Sequence, residues 1–232
     1  MKLNELLEKE IKGKVIAFPT DTVYGVGCLI DDEESISKIY ELKERDFDKP
    51  LAVLVGTLDD AIKLVNGLNE EAVKLIKKYW PGALTIICEK GECVPKFLNP
   101  KFSTIGIRMP NSEVALEILR KYGPMAVTSV NKSGEIALND YSDICSLYGD
   151  KIDYIVESNE VSSNVSSTVI EVNESGVKVL RQGDIKIKDW KSSCFFSLFF
   201  IYLKLILLIQ LDQQFFHLYK HAYFLMQFHQ LR

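Results

Sequence analysis

The sequence predicts an α/β domain over residues 1–190, with helices covering a sheet. Short apolar runs and amphipathic helical periods recur through the same stretch, as they do when both kinds of element share one layered core. Polar clusters stand at the ends of the apolar runs, where an open α/β sheet places its ligand sites. A chain of 232 residues that is 47% hydrophobic can also bury a substantial core.

Apolar spacing and punctuation assign the elements in order. The charged, amphipathic stretch MKLNELLEKEIKGK predicts a helix near 3–11, followed by a strand at 14–18. After it, TDTVYGVG reads as a turn whose two glycines allow tight geometry. A helix over 33–43 leads to Pro50, which sets the approach to a strand at 51–55. Helices follow near 58–65 and 69–79, then strands at 83–88 and 104–108, the second closed by Pro110. A helix over 111–122, a strand at 125–128, a helix at 140–148 and strands near 153–157, 167–172 and 177–181 complete the domain. Periodicity does not say which strands are parallel.

Composition narrows the function. With 28 Lys and Arg against 32 Asp and Glu, the formal charge of -4 argues against a protein that coats nucleic acid through bulk electrostatics. Five cysteines at irregular spacing fit a reducing compartment, and the N-terminus has no secretory h-region, so the expected location is the cytoplasm. Cys88 and Cys93 have no second pair or nearby histidine, and no metal site is expected.

The chain changes character after about Lys191. The 191–232 tail is rich in Phe, Leu and Ile and holds all three histidines, His217, His221 and His229. Phe195 to Leu211 is an apolar run near transmembrane length, interrupted by Lys204. Three readings stand: a membrane-seeking helix, a partner-binding extension, or a non-native end. Membrane contact is expected only if the tail is native.

Five polar clusters carry the chemistry. The first is Thr20, Asp21, Thr22 and Tyr24; the second, in LKERDFDKPL, is Lys43, Arg45 and Lys49 at a helix end, which suits the helix dipole or a polyphosphate. In the third, STIGIRMPN, Arg108 interrupts an apolar strand and should face solvent or meet an anion, a carboxylate ligand being one candidate. The fourth, TSVNKSG, offers Thr128, Ser129, Asn131 and Ser133 as a turn or an anion nest. The fifth opens one strand with Ser166, Ser167 and Thr168 and closes the next with Arg181. Each alone reads equally as a turn; their recurrence at strand ends is the signal.

Absences sharpen it. There is no Walker A loop and no well-placed GxGxxG, and residues 1–190 contain no histidine to serve as general base. Catalysis by holding charged reactants together fits better than covalent catalysis.

Taken together, FPTDTVYGVG, KERDFDKPL, WPGALT, IGIRMPN, TSVNKSG, SSTVIEV and VLRQGDI resemble, in order and spacing, the YrdC family of threonylcarbamoyl-AMP synthases in its single-domain form. The resemblance spans about residues 5–187 and implies a twisted mixed sheet flanked by helices around a large basic cavity. It also implies the reaction: L-threonine, bicarbonate and ATP, with magnesium held mainly by phosphates, give threonylcarbamoyl-adenylate and pyrophosphate. A threonylcarbamoyl-transferase complex would then modify tRNA.

Carried over by motif, Thr22, Arg108 and Ser167 would hold threonine or its carbamate. Arg45, Lys49, Thr104, Ser129, Asn131 and Arg181 would hold ATP, with Lys43, Arg45 and Lys49 positioning the phosphates. No catalytic acid or base is assigned. The chain departs from the family pattern at Leu54, Val130 and Ala137, with Val130 expected to add bulk near the nucleotide. A second function, a double-stranded RNA-binding or ribosome-maturation module with weak RNA binding, is also implied by the family. The Ser/Asn-rich ESNEVSSNVSS is the stretch expected to move.

Overall fold

The computed structural model describes residues 1–160, 162–173, 176–188 and 190–191. Met1–Trp190 form one compact unit, and the description concerns that unit. The expectations for the apolar tail, its histidines included, lie outside the described residues.

In chain order the elements are α1 (Leu3–Leu7), β1 (Ile16–Phe18), β2 (Gly25–Leu29), α2 (Glu33–Leu42), β3 (Ala52–Leu54), α3 (Leu58–Lys63), α4 (Glu70–Tyr79) and β4 (Leu84–Glu89). They continue as β5 (Thr104–Arg108), α5 (Glu113–Tyr122), β6 (Met125–Ser129), α6 (Tyr141–Tyr148), β7 (Tyr154–Ile155), β8 (Thr168–Asn173), β9 (Gly176–Arg181) and β10 (Trp190–Lys191). One sheet runs β10-β9-β8-β4-β5-β3-β6-β2-β1-β7. It is mixed: β1 with β7, β3 with β5 and β4 with β8 are parallel, and the β1–β2, β2–β6, β3–β6, β4–β5 and β8–β9 pairs are antiparallel. The α/β class and the mixed sheet are as expected.

The helix expected near 3–11 ends at Leu7, β10 has no counterpart in the sequence reading, and β2 departs from that reading altogether. The two glycines of TDTVYGVG do not make a turn; Gly25 and Gly27 lie inside β2, between β1 and β6. A Cβ at Gly25 would stand 2.7 Å from Val127 Cγ1, and one at Gly27 would stand 2.7 Å from both the Ala126 carbonyl and Val127 Cγ2. Glycine is there to let Val127 lie across the strand. Because glycine erases the alternation that marks a strand, the sequence hides β2.

Helix ends follow local chemistry. In α5, Ser112 caps the start by accepting from the Ala115 N–H, Glu113 lies in the first turn, and Arg120 and Lys121 lie in the last. Gly123 then ends it at φ 93, a conformation that glycine adopts without strain. The start therefore falls two residues later than the expected 111. Its buried residues, Ala115, Leu116, Ile118 and Leu119, follow the helical period.

Residues that pair directly across a sheet share a face. Ala17, Val26, Cys28, Ala126, Val53, Ile107 and Ile105 line one face and pack with Ile36, Ile39 and Ile144 from α2 and α6. On the other face Ile16, Phe18, Leu54, Met125 and Val127 pack beneath Leu6 of α1 and Ala115, Ile118 and Leu119 of α5. That second face is covered only in part, and its remainder carries the polar clusters.

Candidate active site

Arg108 pairs in register with Leu54, so both side chains start from the same face. Leu54 joins the core beneath α5, whereas Arg108 is enclosed by polar groups. Only 5% of Arg108 is exposed. Its Nε donates to the Gly82 carbonyl at 3.0 Å, its Nη1 to Thr22 Oγ1 at 2.8 Å, and its Nη2 to the Asp21 carboxylate. Of the two expectations for Arg108, solvent or an anion, the second holds, and the anion is Asp21, 87 residues away. Burial lowers the Arg108 pKa, the adjacent Asp21 opposes that shift, and the nearby Arg181 charge adds to it.

The turn before β2 is ordered by hydroxyls. Thr20 Oγ1 donates to the Val23 carbonyl at 2.6 Å, accepts from the Thr22 and Val23 N–H groups at 3.2 and 3.3 Å, and lies 3.0 Å from Thr22 Oγ1. Thr22 Oγ1 in turn accepts from Arg108. Tyr24, by contrast, is scaffold. Its hydroxyl donates to the Val156 carbonyl at 2.9 Å, and burial pushes its pKa up to about 12.

Along β5, Thr104, Gly106 and Arg108 alternate onto this face. Gly106 opens space above Thr85, since a Cβ there would meet Thr85 Cγ2 at 3.3 Å. Thr104 sits at the far end of the strand, opposite Glu89 and roughly 13 Å from Arg108 at the usual strand rise. It belongs to the same trough but not to the Arg108 cluster.

Ser167 and Arg181 act as a unit. Ser167 Oγ lies 2.8 Å from Thr85 Oγ1 and accepts from Arg181 Nη2 at 3.1 Å, while Arg181 Nε donates to the Ser167 carbonyl at 3.0 Å. Gly183 makes the approach possible: a Cβ there would fall 2.1 Å from the Ser166 carbonyl.

Arg45 folds back on its own loop, with Nε on the Lys49 carbonyl at 3.0 Å and Nη2 on the Pro50 carbonyl at 3.1 Å. Lys49 reaches Ser133 Oγ at 3.2 Å. Lys43 is different. Its ammonium, 1% exposed as a residue, gives its three protons to the Ser129 carbonyl (2.5 Å), the Asn131 carbonyl (2.8 Å) and Asn131 Oδ1 (2.6 Å). No proton is left for a phosphate, so the geometry moves Lys43 from phosphate contact to holding the 129–133 loop. Burial, and then Arg45, push its pKa down to about 8. Ser129 and Asn131 are tied to the same hub, through Ser129 Oγ to Asn131 Oδ1 at 2.7 Å and Asn131 Nδ2 to the Glu135 carbonyl at 2.6 Å.

The cations converge. Burial lowers the pKa of Arg45 and of Arg181, the charge of Arg45 further depresses Arg181 and Lys43, and that of Arg181 depresses Arg108. Among the described residues, Arg45, Lys49 and Arg181 have no carboxylate at ion-pair distance. Like charges gathered from separate segments and held by carbonyls and hydroxyls repel one another, and an anion among them would relieve that repulsion.

Other features stand apart from this cluster. A depression of about 460 Å³ is lined by α1, Glu117 and residues 157–159 and shares none of the site residues. Val130 is fully buried in the core, so its bulk fills the interior. In the segment expected to move, Ser163 N–H donates to the Asp21 carbonyl at 3.0 Å and Asn164 N–H to the Thr22 carbonyl at 2.9 Å. Glu160 accepts from Ser112 Oγ at 2.5 Å and from the Val114 N–H at 3.1 Å.

A family model described as Sua5/YciO/YrdC, telomere recombination, matches residues 10–183. The chain belongs to the Sua5/YciO/YrdC family. It is 34% identical over 179 residues to a threonylcarbamoyl-AMP synthase of Pyrococcus abyssi, covering 77% of this chain and 53% of that protein. The putative threonylcarbamoyl-AMP synthase of Methanocaldococcus jannaschii is 32% identical over 188 residues, covering 81% and 88%. The fold is similar to the crystal structure of P. abyssi Sua5 complexed with L-threonine, with a TM-score of 0.73 at 34% identity over 78% of this chain and 54% of that one. The chain thus spans about half the length of the Pyrococcus relative. Residues the sequence reading passed over join these clusters: the Gly82 carbonyl accepts from Arg108, Thr85 Oγ1 lies against Ser167 Oγ, and Gly106 stands beside Thr85. Of these only Gly106, a glycine inside an alternating strand, carries a local signal.

Proposed function

We propose that this chain is a threonylcarbamoyl-AMP synthase, making threonylcarbamoyl-adenylate and pyrophosphate from L-threonine, bicarbonate and ATP. The observation that carries the reading is the convergence of Arg45, Lys49 and Arg181, without carboxylate partners among the described residues, beside the Arg108–Thr22 corner. The name and bound L-threonine of the relatives support the same reading.

In this mechanism Arg108 and Thr22 hold the amino acid, and Arg45, Lys49 and Arg181 hold the triphosphate. Thr104, 13 Å along the trough by the estimate above, receives the nucleoside end, and Ser129 and Asn131 border it on the loop that Lys43 holds. The carbamate oxygen attacks the α-phosphate in line, a C–O–P linkage forms, and pyrophosphate leaves with the bond electrons. The protein neutralises charge, aligns the carbamate and keeps water from both labile intermediates. Such a task needs no histidine.

Among the described residues no group of three or more His, Cys, Asp or Glu is gathered as a metal site, so magnesium would travel with the phosphates. The large basic cavity, the cytoplasmic location, the hand-over to a transferase complex, a catalytic domain of residues 1–190 and a distinct 191–232 tail belong to the same proposal. Incubating the full chain with ATP, magnesium, bicarbonate and L-threonine tests it. Threonine-dependent pyrophosphate release is the expected result; release that ignores threonine overturns the reading.

A further inference from the structure

We propose that Asp21 selects α-amino acids over other carboxylates, by taking the substrate ammonium on its second carboxylate oxygen while Arg108 takes the carboxylate. The proposal rests on the synthase reading and deepens it.

Arg108 and Asp21 form an ion pair whose side chains are only 7% and 15% exposed. Arg108 spends three of its five N–H groups on Gly82, Thr22 and Asp21. Asp21 spends Oδ1 on Arg108, and its Oδ2 makes no hydrogen bond among the described residues. The pair therefore offers two donors and an acceptor side by side, at zero net charge. A lone carboxylate entering this corner is held by Arg108 but leaves the free Asp21 oxygen without a cation, whereas a zwitterion adds no net charge and meets a partner at each end. An unpaired Arg108 would take any carboxylate.

The acceptor is fixed before substrate arrives. The backbone carbonyls of Asp21 and Thr22 receive the N–H groups of Ser163 and Asn164, so the turn is held from outside. Thr22 Oγ1, which accepts from Arg108, stands beside it.

Asp21 also gives the reaction a direction. Carbamoylation converts the ammonium and bicarbonate to a carbamate: a C–N bond forms, a C–O bond of bicarbonate breaks, and one water and one proton leave to solvent. The positive charge that faced Asp21 becomes a negative one. Asp21 then repels it, while Arg45 and Arg181 attract it towards the triphosphate.

Calorimetry on the full chain with L-threonine and with (R)-3-hydroxybutyrate, which keeps the carboxylate and hydroxyl but lacks the ammonium, tests the proposal. The wild type should favour L-threonine by about tenfold or more, the scale of one charge-assisted hydrogen bond. Binding both alike overturns the role of Asp21 alone; binding neither sinks the synthase reading with it. Asp21→Asn should bring the ratio close to one while leaving ATP affinity unchanged, and an unaltered ratio overturns the proposal. Should that variant not fold, Asp21→Glu keeps the ion pair but displaces the oxygen, and it must still lower the ratio; an unchanged ratio there is equally fatal.

Discussion

Two halves of one sheet face behave in opposite ways. Over β1, β2, β6 and Leu54 of β3 the face is apolar and lies beneath α1 and α5. Over β5, β4 and the ends of β8 and β9 it carries Arg108, Thr85, Ser167 and Arg181. Glycine serves both halves to different ends: in β2 it admits a neighbouring side chain, and in β5 Gly106 leaves a floor clear. The contrast separates a half packed beneath α1 and α5 from a half that carries hydroxyl and charged groups. Stability is concentrated in one half, and the other half holds mutually repelling charges that a ligand would relieve.

The largest expected effect breaks the closed half. Gly27→Val puts a branched side chain against the Ala126 carbonyl and Val127, where a Cβ alone would stand 2.7 Å from each. A loss of about 3 kcal/mol or more in urea unfolding is expected, and a loss below 1 kcal/mol would show that β2 yields easily.

Lys43→Met comes next. It leaves the Ser129 and Asn131 oxygens without their donor, and a loss of about 3 kcal/mol is expected together with a raised KM for ATP. Because the folded pKa, about 8, lies below the unfolded 10.5, the unfolded chain keeps a proton that the folded chain has released between those values. Wild-type stability, measured against the variant, should therefore rise with pH across that window, by up to about 3 kcal/mol. A flat difference would mean that the three oxygens cancel the effect of burial.

In the open half the expectation reverses. Arg181→Gln removes a cation that Arg45 repels, so the unfolding midpoint should hold steady or rise while the KM for ATP increases about 10- to 100-fold. A stability loss with unchanged ATP use would make Arg181 a structural residue. The smallest effect on folding belongs to Gly106→Ala, whose methyl would meet Thr85 Cγ2 at 3.3 Å and Ile87 Cγ1 at 3.9 Å, both side-chain atoms. Stability should change by less than about 1 kcal/mol, yet substrate KM values should rise if the trough floor is where ligand lies; unaltered kinetics would place the ligand elsewhere.

Legibility in the sequence followed the same division. Amphipathic helices such as α5 announced themselves through period and caps, and the polar clusters did so through their position at strand ends. The strand β2 did not, because its glycines remove the alternation by which strands are recognised. Lys43 looked like its neighbours Arg45 and Lys49 and proved to be a loop staple, since nothing local records which oxygens surround an ammonium.

The sequence by itself determined the α/β class, most of the elements and the set of residue types that could grip an anionic substrate, because period, caps and turn residues act over a few positions. Only the tertiary structure decided which cation was already paired. Arg108 meets Asp21 across 87 residues, and Arg45, Arg181 and Arg108 share one field although they lie in three separate segments. Charge interactions depend on distance through space, and that distance does not exist until strands far apart in the chain lie side by side.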